Sequence, residues 1–222
     1  GGFGDIAGLG VSRIVSYLTK TLADSILGID LPGEQHGFVP TADWKKSVRG
    51  EPWYLGDTYN ISIGQGDLTV TPLWLNTYVS AIANGGTMYK PEVVNRIVDE
   101  KGNPIQIFKP QSLEQLPFRS DVVATVKSDM QETILSGTAT LLKDLPVTAG
   151  AKTGTAQVVN GQKINSLFTI FAPLDHPKIA MTILVESPNS EGLAIVTAND
   201  ILKWYFTQGK GNPSAALPSP TP

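Results

Sequence analysis

A lysine, a glycine and two threonines stand together in one short β-prone segment, "AKTGTAQVV". The triplet Lys-Thr-Gly in such a segment indicates a serine acyl-transfer site. On a strand, Lys152 and Gly154 point to one face and Thr153 and Thr155 to the other. A glycine inside a strand often marks where another backbone comes close, so a peptide could pair with this segment as an added strand. Lys152 would attract an anionic substrate, and the two threonine hydroxyls could hydrogen-bond a carboxylate.

The triplet alone is weak support for this chemistry. A three-residue string arises by chance in a chain of this length at roughly a few per cent, and threonine is favoured on strands for packing reasons. A phosphate-binding loop is the rival interpretation, but it requires a glycine directly before the lysine and another five residues earlier. Ala151 precedes Lys152, and Leu145 and Pro146 lie upstream, which excludes that loop.

Composition excludes several other classes of site. The 222 residues carry a net charge of −3 and no basic run, which predicts no nucleic-acid partner. Cysteine is absent, and His36 and His176 lie far apart without metal-ligand spacing, so we expect no metal and no cofactor and regard both histidines as ordinary loop or surface residues. The longest apolar run, "IAMTILV", suits a strand and is too short to span a membrane.

The motif segment is the first of three predicted strands, 151 to 159, 166 to 173 and 178 to 186. Their connections, "NGQKIN" and "LDHP", are short, so the three should form an antiparallel meander. An earlier stretch, 87 to 118, alternates short β-prone runs with turn residues and predicts a hairpin-like excursion.

Helical periodicity occurs in four segments: 11 to 27, 72 to 84, 120 to 135 and about 191 to 207. Gly28 should end the first, and a turn-rich loop follows from 28 to 44. The second has Thr71 as its N-cap, Pro72 at its first position and Gly85 just past its end.

The last two helices should each bury one apolar face. The third has Ser120 as its predicted cap and Gly137 beyond its end, with Val122, Val123, Val126, Met130 and Ile134 on the apolar face. The fourth should cover one face of the sheet through Leu193, Ile195, Val196, Ile201, Leu202 and Tyr205. Residues 208 to 222 are rich in Pro and Ser and should be a disordered tail.

Four segments resemble those of a known family and follow one another in that family's order: "GIDLPGEQHGFVPT", "WYLGDTYNISIGQGDLTVTPLWLNTYVSAIANGGTMYKP", "AKTGTAQVV" and "FAPLDHPKIAMTILVE". Over residues 1 to 207 the chain resembles the C-terminal part of the transpeptidase domain of class B penicillin-binding proteins, of the elongation type. The resemblance implies an α+β fold of the β-lactamase/transpeptidase type, in which helices flank a five-stranded antiparallel sheet and the Lys-Thr-Gly strand lies at a sheet edge.

The same resemblance implies a D,D-transpeptidase that cross-links peptidoglycan stem peptides by serine acyl transfer. Lys152 would assist proton transfer and bind the substrate, Thr153 and Thr155 would contact the terminal carboxylate, and Gly154 would keep the strand surface clear. The backbone N–H of Thr155 would be one oxyanion-hole donor. The implied partners are stem peptides ending in D-Ala-D-Ala, β-lactams and proteins of cell-wall elongation, at the outer (periplasmic) face of the cytoplasmic membrane, with an N-terminal anchor.

The family has three motifs, Ser-x-x-Lys, a Ser-x-Asn type and Lys-Thr-Gly. The first two are not found in the expected places in this sequence. No serine is followed by lysine three residues later, whereas Thr140 and Thr207 have that spacing but do not fit the family's order. The single Ser-x-Asn string, "SPN" at 187 to 189, follows the last predicted strand and should be a turn. We therefore expect a fragment that lacks its nucleophile and the first two strands and is inactive without the N-terminal half of the domain.

Without the first two strands, the last predicted strand should lack its partner. In the resembling fold the last strand pairs with the first, so residues 178 to 186 should present an open, apolar edge suited to association. Two other functions stay open: a β-lactamase-type hydrolase or D,D-carboxypeptidase, and a non-catalytic peptidoglycan-binding scaffold module. The segments "IGQGDLTVTP" and "GIDLPGE" favour the transpeptidase over the hydrolase.

Overall fold

A computed structural model describes residues 7–158, 163–187 and 192–208. The chain divides into two compact units, Gly1–Ala124 and Thr125–Pro222. In chain order the elements are α1 (Gly10–Lys20), α2 (Ala42–Arg49), α3 (Leu55–Ser62), α4 (Pro72–Asn84), β1 (Thr87–Tyr89), β2 (Arg96–Val98), β3 (Pro104–Ile107), β4 (Ser112–Gln115), α5 (Ser120–Leu135), a 3₁₀ helix (Thr140–Asp144), β5 (Gly150–Val158), β6 (Lys163–Ala172), β7 (Ile179–Glu186) and α6 (Leu193–Thr207).

Helix α1 ends at Lys20, so the predicted helix to residue 27 is wrong. Leu22 has φ of 61°, and its N–H donates to Thr19 O while the N–H of Ala23 donates to Leu18 O. These two bonds form a Schellman-type end with leucine at a position that glycine usually occupies. The Thr21 carbonyl accepts a 2.6 Å bond from the indole of Trp74, which holds the chain in this turn.

Helix α2 begins inside the stretch predicted to be a loop, because Thr41 caps it. The Thr41 hydroxyl accepts from the N–H of Trp44 at 3.0 Å, and Gly50 ends the helix with φ of 69°. The next helix, α3, was not predicted, and its pattern of side chains gives no strong apolar face. The loop prediction holds from residue 28 to Thr41.

Helix α4 has the predicted ends. Thr71 accepts from the N–H of Trp74 at 3.0 Å, Pro72 is the first helical residue, and Gly85 follows with φ of 94°. The predicted hairpin excursion is also confirmed, since β2 pairs antiparallel with β3 and β1 pairs antiparallel with β4.

A buried lysine ties α2 to α3. The Lys45 side chain is 6% exposed, and its ammonium donates to Asp57 Oδ2 at 2.6 Å. Asp57 also accepts from the N–H of Tyr54 at 2.7 Å. The hydrogen bond from Lys45, followed by that from Tyr54, lowers the pKa of Asp57 below its ordinary value of 3.8, and the same ion pair raises the pKa of Lys45.

We expect Asp57→Asn to lower the melting temperature by several degrees at neutral pH, because it leaves the buried Lys45 ammonium without its closest carboxylate. Since folding lowers the pKa of Asp57, its contribution is complete above about pH 5 and is lost as the pH falls through the folded-state pKa. The difference from wild type should therefore shrink below about pH 3. Glu100→Gln, an exposed carboxylate in the same unit, is the control, and equal shifts for both variants would contradict this prediction.

Helix α5 has the predicted length, but two details differ. Ser120 is its first helical residue. Val123, Met130 and Ile134 are buried as predicted, whereas Val122 and Val126 are 43% and 39% exposed.

The predicted antiparallel meander is confirmed in the second unit, where the strand order is β5-β6-β7. The β5–β6 pairing runs without a shift from Gly150 opposite Phe171 to Val158 opposite Lys163. Among the described strands the motif strand is thus an edge strand, as the resemblance implies. On the other side, β7 pairs with β6 alone among the described strands, as expected for an open edge, and association through it stays a prediction.

Helix α6 packs on β6 and β7, as predicted, but the predicted face is confirmed only in part. Leu202 is fully buried and Ile195 packs against the core cluster, as predicted. The fully buried residues of the helix are Ala194, Ala198 and Leu202, which join Phe168 and Ile170 in the core cluster. The predicted contacts Leu193, Val196 and Ile201 are each at least 40% exposed.

Within the described part of the chain, no helix is long and apolar enough to cross a membrane. Apart from Gln208, the predicted tail of residues 208 to 222 lies outside the described residues and stays a prediction. The domain range 1–207 also stays a prediction.

Candidate active site

The motif residues lie on β5, where the strand runs out of the core. Ala151 is fully buried, Thr153 is half-buried, and Thr155 is exposed on the same face. Lys152 and Gly154 are exposed and occupy the opposite face. The sequence-predicted alternation therefore places a lysine, a glycine and two threonines within four residues of one open strand edge.

The Lys152 ammonium is held by the backbone of its own strand. Its Nζ donates to Thr153 O at 2.7 Å. Within the described part of the chain, no carboxylate forms an ion pair with Lys152. A cation in this position keeps its charge available for an anionic ligand lying along the edge.

Gly154 is not required by the packing of the sheet. A Cβ built there would meet only Leu167, at 3.4 Å from its Cβ and 3.9 Å from its carbonyl oxygen. These are tight to ordinary van der Waals contacts with one neighbour. Since the fold itself accommodates a methyl group at this position, a glycine here fits the approach of a ligand backbone to the strand.

Thr138 lies beside the motif strand and was not among the residues predicted from the sequence. It lies in the turn after α5, fourteen residues before Lys152, and its Oγ1 lies 2.8 Å from Thr153 Oγ1. The motif strand thus carries its threonine hydroxyl already hydrogen-bonded to a second hydroxyl. The one sequence signal was indirect: Gly137 ends the helix and allows the chain to return towards the sheet.

The other residues considered from the sequence lie elsewhere. Ser187 follows β7, two strands away from β5, with φ of 47° and its N–H bonded to Ile164 O, which fits the predicted turn; Asn189 lies outside the described residues. Thr140 and Lys143 lie in the 3₁₀ helix. His36 and His176 are exposed, as predicted.

Two clefts of about 290 and 300 Å³ are also formed, one in each unit. The first is lined mainly by apolar residues of α5, the 3₁₀ helix and the chain that leads into β5; the second contains the Arg49–Asp67 ion pair. Neither includes Lys152, Thr153, Gly154 or Thr155. The convergent polar groups therefore select the open edge of β5 as the candidate site, ahead of these clefts.

One known family matches most of the chain. The model of the penicillin binding protein transpeptidase domain matches residues 7–203. The chain belongs to this family. The antiparallel sheet with flanking helices is accordingly the β-lactamase/transpeptidase fold, as the sequence predicted, and membership in the transpeptidase family is confirmed.

Several relatives of this chain have names and solved structures. It is 28% identical over 219 residues to the peptidoglycan D,D-transpeptidase MrdA of Acinetobacter baumannii, covering 92% of this chain and 32% of that protein. Pseudomonas aeruginosa PBP2, solved in complex with WCK 5153, superposes with a TM-score of 0.74 at 27% identity, covering 95% of this chain and 48% of the other. Helicobacter pylori PBP2, solved in complex with MreC, gives a TM-score of 0.72 at 26% identity, covering 90% and 36%.

The chain spans about a third of the length of the MrdA relatives it matches. Its matched region contains the Lys-Thr-Gly strand and the elements that support it.

Proposed function

We propose that this chain supplies the substrate-binding wall of a peptidoglycan D,D-transpeptidase that works by serine acyl transfer. The observation that carries the proposal is the open edge of β5, where Lys152 is exposed without an ion-pair partner among the described residues and Gly154 leaves the strand surface clear. A stem peptide could pair with such an edge as an added strand, with its terminal carboxylate beside the motif hydroxyls.

In the proposed reaction a serine Oγ attacks the carbonyl carbon of the penultimate D-Ala. The peptide bond to the terminal D-Ala breaks, that amine takes a proton and leaves, and the stem peptide remains as a serine ester. The amine of a second stem peptide then attacks the ester, which forms the cross-link and returns the proton to the serine.

Each motif residue has a role in this scheme. Lys152 attracts the anionic substrate and assists proton transfer. Thr153 and Thr155 hydrogen-bond the terminal carboxylate, and the N–H of Thr155 stabilises the oxyanion. Gly154 keeps room for the substrate backbone. A β-lactam would occupy the same positions and acylate the same serine.

The nucleophile is assigned to a part of the domain outside these 222 residues. Covalent catalysis requires an activated nucleophile, and no Ser-x-x-Lys string occurs in this sequence. The Ser-x-x-Lys and Ser-x-Asn motifs would meet β5 from that part, and the chain by itself would be inactive.

The whole protein is proposed to act in cell-wall elongation at the outer face of the cytoplasmic membrane, held there by an N-terminal segment. The names MrdA and PBP2 among its relatives support this setting, and PBP2 of Helicobacter pylori has been solved with MreC. A protein of the elongation machinery is therefore the proposed partner.

Covalent labelling with a fluorescent penicillin tests the function. We expect the protein that joins this segment to its Ser-x-x-Lys and Ser-x-Asn motifs to be labelled and the 222-residue chain alone to stay unlabelled. The same joined protein, without penicillin, should give the cross-linked product when it is incubated with a stem peptide and an acceptor amine. Hydrolysed peptide alone would indicate a carboxypeptidase, and no labelling of the joined protein would indicate a non-catalytic module.

A further inference from the structure

The hydroxyl of Thr138 faces the one motif threonine that is half-buried. Thr138 Oγ1 and Thr153 Oγ1 lie 2.8 Å apart, a normal distance for a hydrogen bond between hydroxyls. Thr138 belongs to none of the three motifs of the family, and it comes from a turn outside the sheet. Its position raises the question of what a second hydroxyl does beside the substrate strand.

The turn that carries Thr138 is firmly tied down. The N–H of Gly137 donates to Glu132 O and that of Ala139 donates to Thr133 O, both at 2.9 Å. Ala139 is fully buried in the same cluster as Ala151 of the motif strand. The Thr138 backbone is therefore fixed relative to β5 on both sides, which is the arrangement expected of a residue that positions another.

The direction of the hydrogen bond depends on what Thr153 binds. A hydroxyl has one hydrogen to donate, and a carboxylate can only accept. If Thr153 donates to a substrate carboxylate, its oxygen is free to accept and the Thr138 hydroxyl must donate to it. In the opposite direction Thr153 would spend its hydrogen on Thr138 and could not bind the carboxylate.

We propose that Thr138 is a positioning residue for carboxylate recognition: its hydroxyl donates to Thr153 Oγ1 and so aims the Thr153 hydrogen at the carboxylate of the stem peptide or β-lactam. This inference rests on the proposed function of the site. It adds a residue that fixes the orientation of a substrate-binding hydroxyl without touching the substrate.

The test compares acylation by a penicillin with acylation by its methyl ester, in the protein that joins this segment to its upstream motifs. Thr138→Val keeps the shape of the side chain and removes the hydroxyl. We expect it to lower the rate constant for the free carboxylate by about three- to tenfold, as for the loss of one neutral hydrogen bond, and to leave the rate constant for the ester nearly unchanged. Thr138→Ser should restore the wild-type preference for the carboxylate.

Two further variants separate positioning from a structural role. Thr140→Val, at an exposed threonine two residues away, should behave as wild type. In a Thr153→Val background, Thr138→Val should cause no additional loss, because the hydroxyl on which it acts is gone. Equal losses with penicillin and ester, an unchanged carboxylate preference, or additive losses in the double variant would each overturn the inference. A wild-type protein that neither compound acylates would overturn the proposed function and the inference with it.

Discussion

Replacing Lys152 with methionine is expected to lower the rate constant for acylation by penicillin by about a hundredfold. Methionine has a similar length and removes the charge. Lys152 is exposed on an edge strand, and its ammonium donates to a backbone carbonyl rather than to a carboxylate among the described residues. The ammonium can therefore attract the anionic substrate and can also take part in the proton transfer of acylation.

Lys152→Arg separates these two contributions. Arginine keeps the charge but does not give up its proton in proteins. We expect it to retain most of the affinity for a non-covalent carboxylate ligand while acylation stays slow. Lys163→Met, at an exposed lysine on β6, is the matched control and should acylate at the wild-type rate. A Lys152→Met protein within twofold of wild type would show that the lysine has no part in the reaction.

Adding one methyl group at Gly150 is expected to lower the free energy of unfolding by about 1–3 kcal/mol, because the site is overpacked. A Cβ there would lie 2.5 Å from Cζ and 2.9 Å from Cε1 of Phe171, which is itself fully buried. The aromatic ring would have to move within a closed core. Urea unfolding of Gly150→Ala beside wild type measures the loss.

Gly154→Ala, four residues along the same strand, is the comparison. Its Cβ meets only Leu167, at 3.4 Å or more, so the free energy of unfolding should change by less than about 0.5 kcal/mol. Acylation by penicillin should nevertheless fall, because the new methyl group would occupy the space that Gly154 is proposed to keep for the ligand backbone. Equal losses of stability in the two variants would contradict this division into a structural and a functional glycine.

The sheet and helix α4 were predictable because their signals are local. Three β-prone runs with short connections define the meander, and Thr71, Pro72 and Gly85 each mark an end of α4 by their own chemistry. Helix α1 was predicted too long because its end depends on a distant residue. Leu22 adopts a conformation that leucine rarely takes, in a turn held by the Trp74 indole.

The face of α6 was predicted only in part, for a different reason. A prediction of the buried face from hydrophobicity gives most weight to large side chains, and it therefore included Leu193, Val196 and Ile201. The helix buries Ala194 and Ala198 beside the predicted Leu202, since small residues let it approach the bulky Phe168 of the central strand.

The candidate site divides in the same way. Lys152, Thr153, Gly154 and Thr155 could be identified because they are consecutive and their alternation on a strand is fixed by geometry. Thr138 could not be, because its meeting with Thr153 arises from the path of the turn after α5.

The unbroken pairing of β5 with β6 constrains how this segment can change in length. Each residue from Gly150 to Val158 faces a fixed partner, so inserting or deleting one residue before Lys152 within the strand would exchange its two faces. The Lys152 side chain would then point towards the core, and the side chain of the buried Ala151 would point towards the exposed face. Changes of length in the connection between the strands leave the pairing intact. Length variation among natural or engineered versions of this domain should therefore concentrate between strands and be absent from β5 itself.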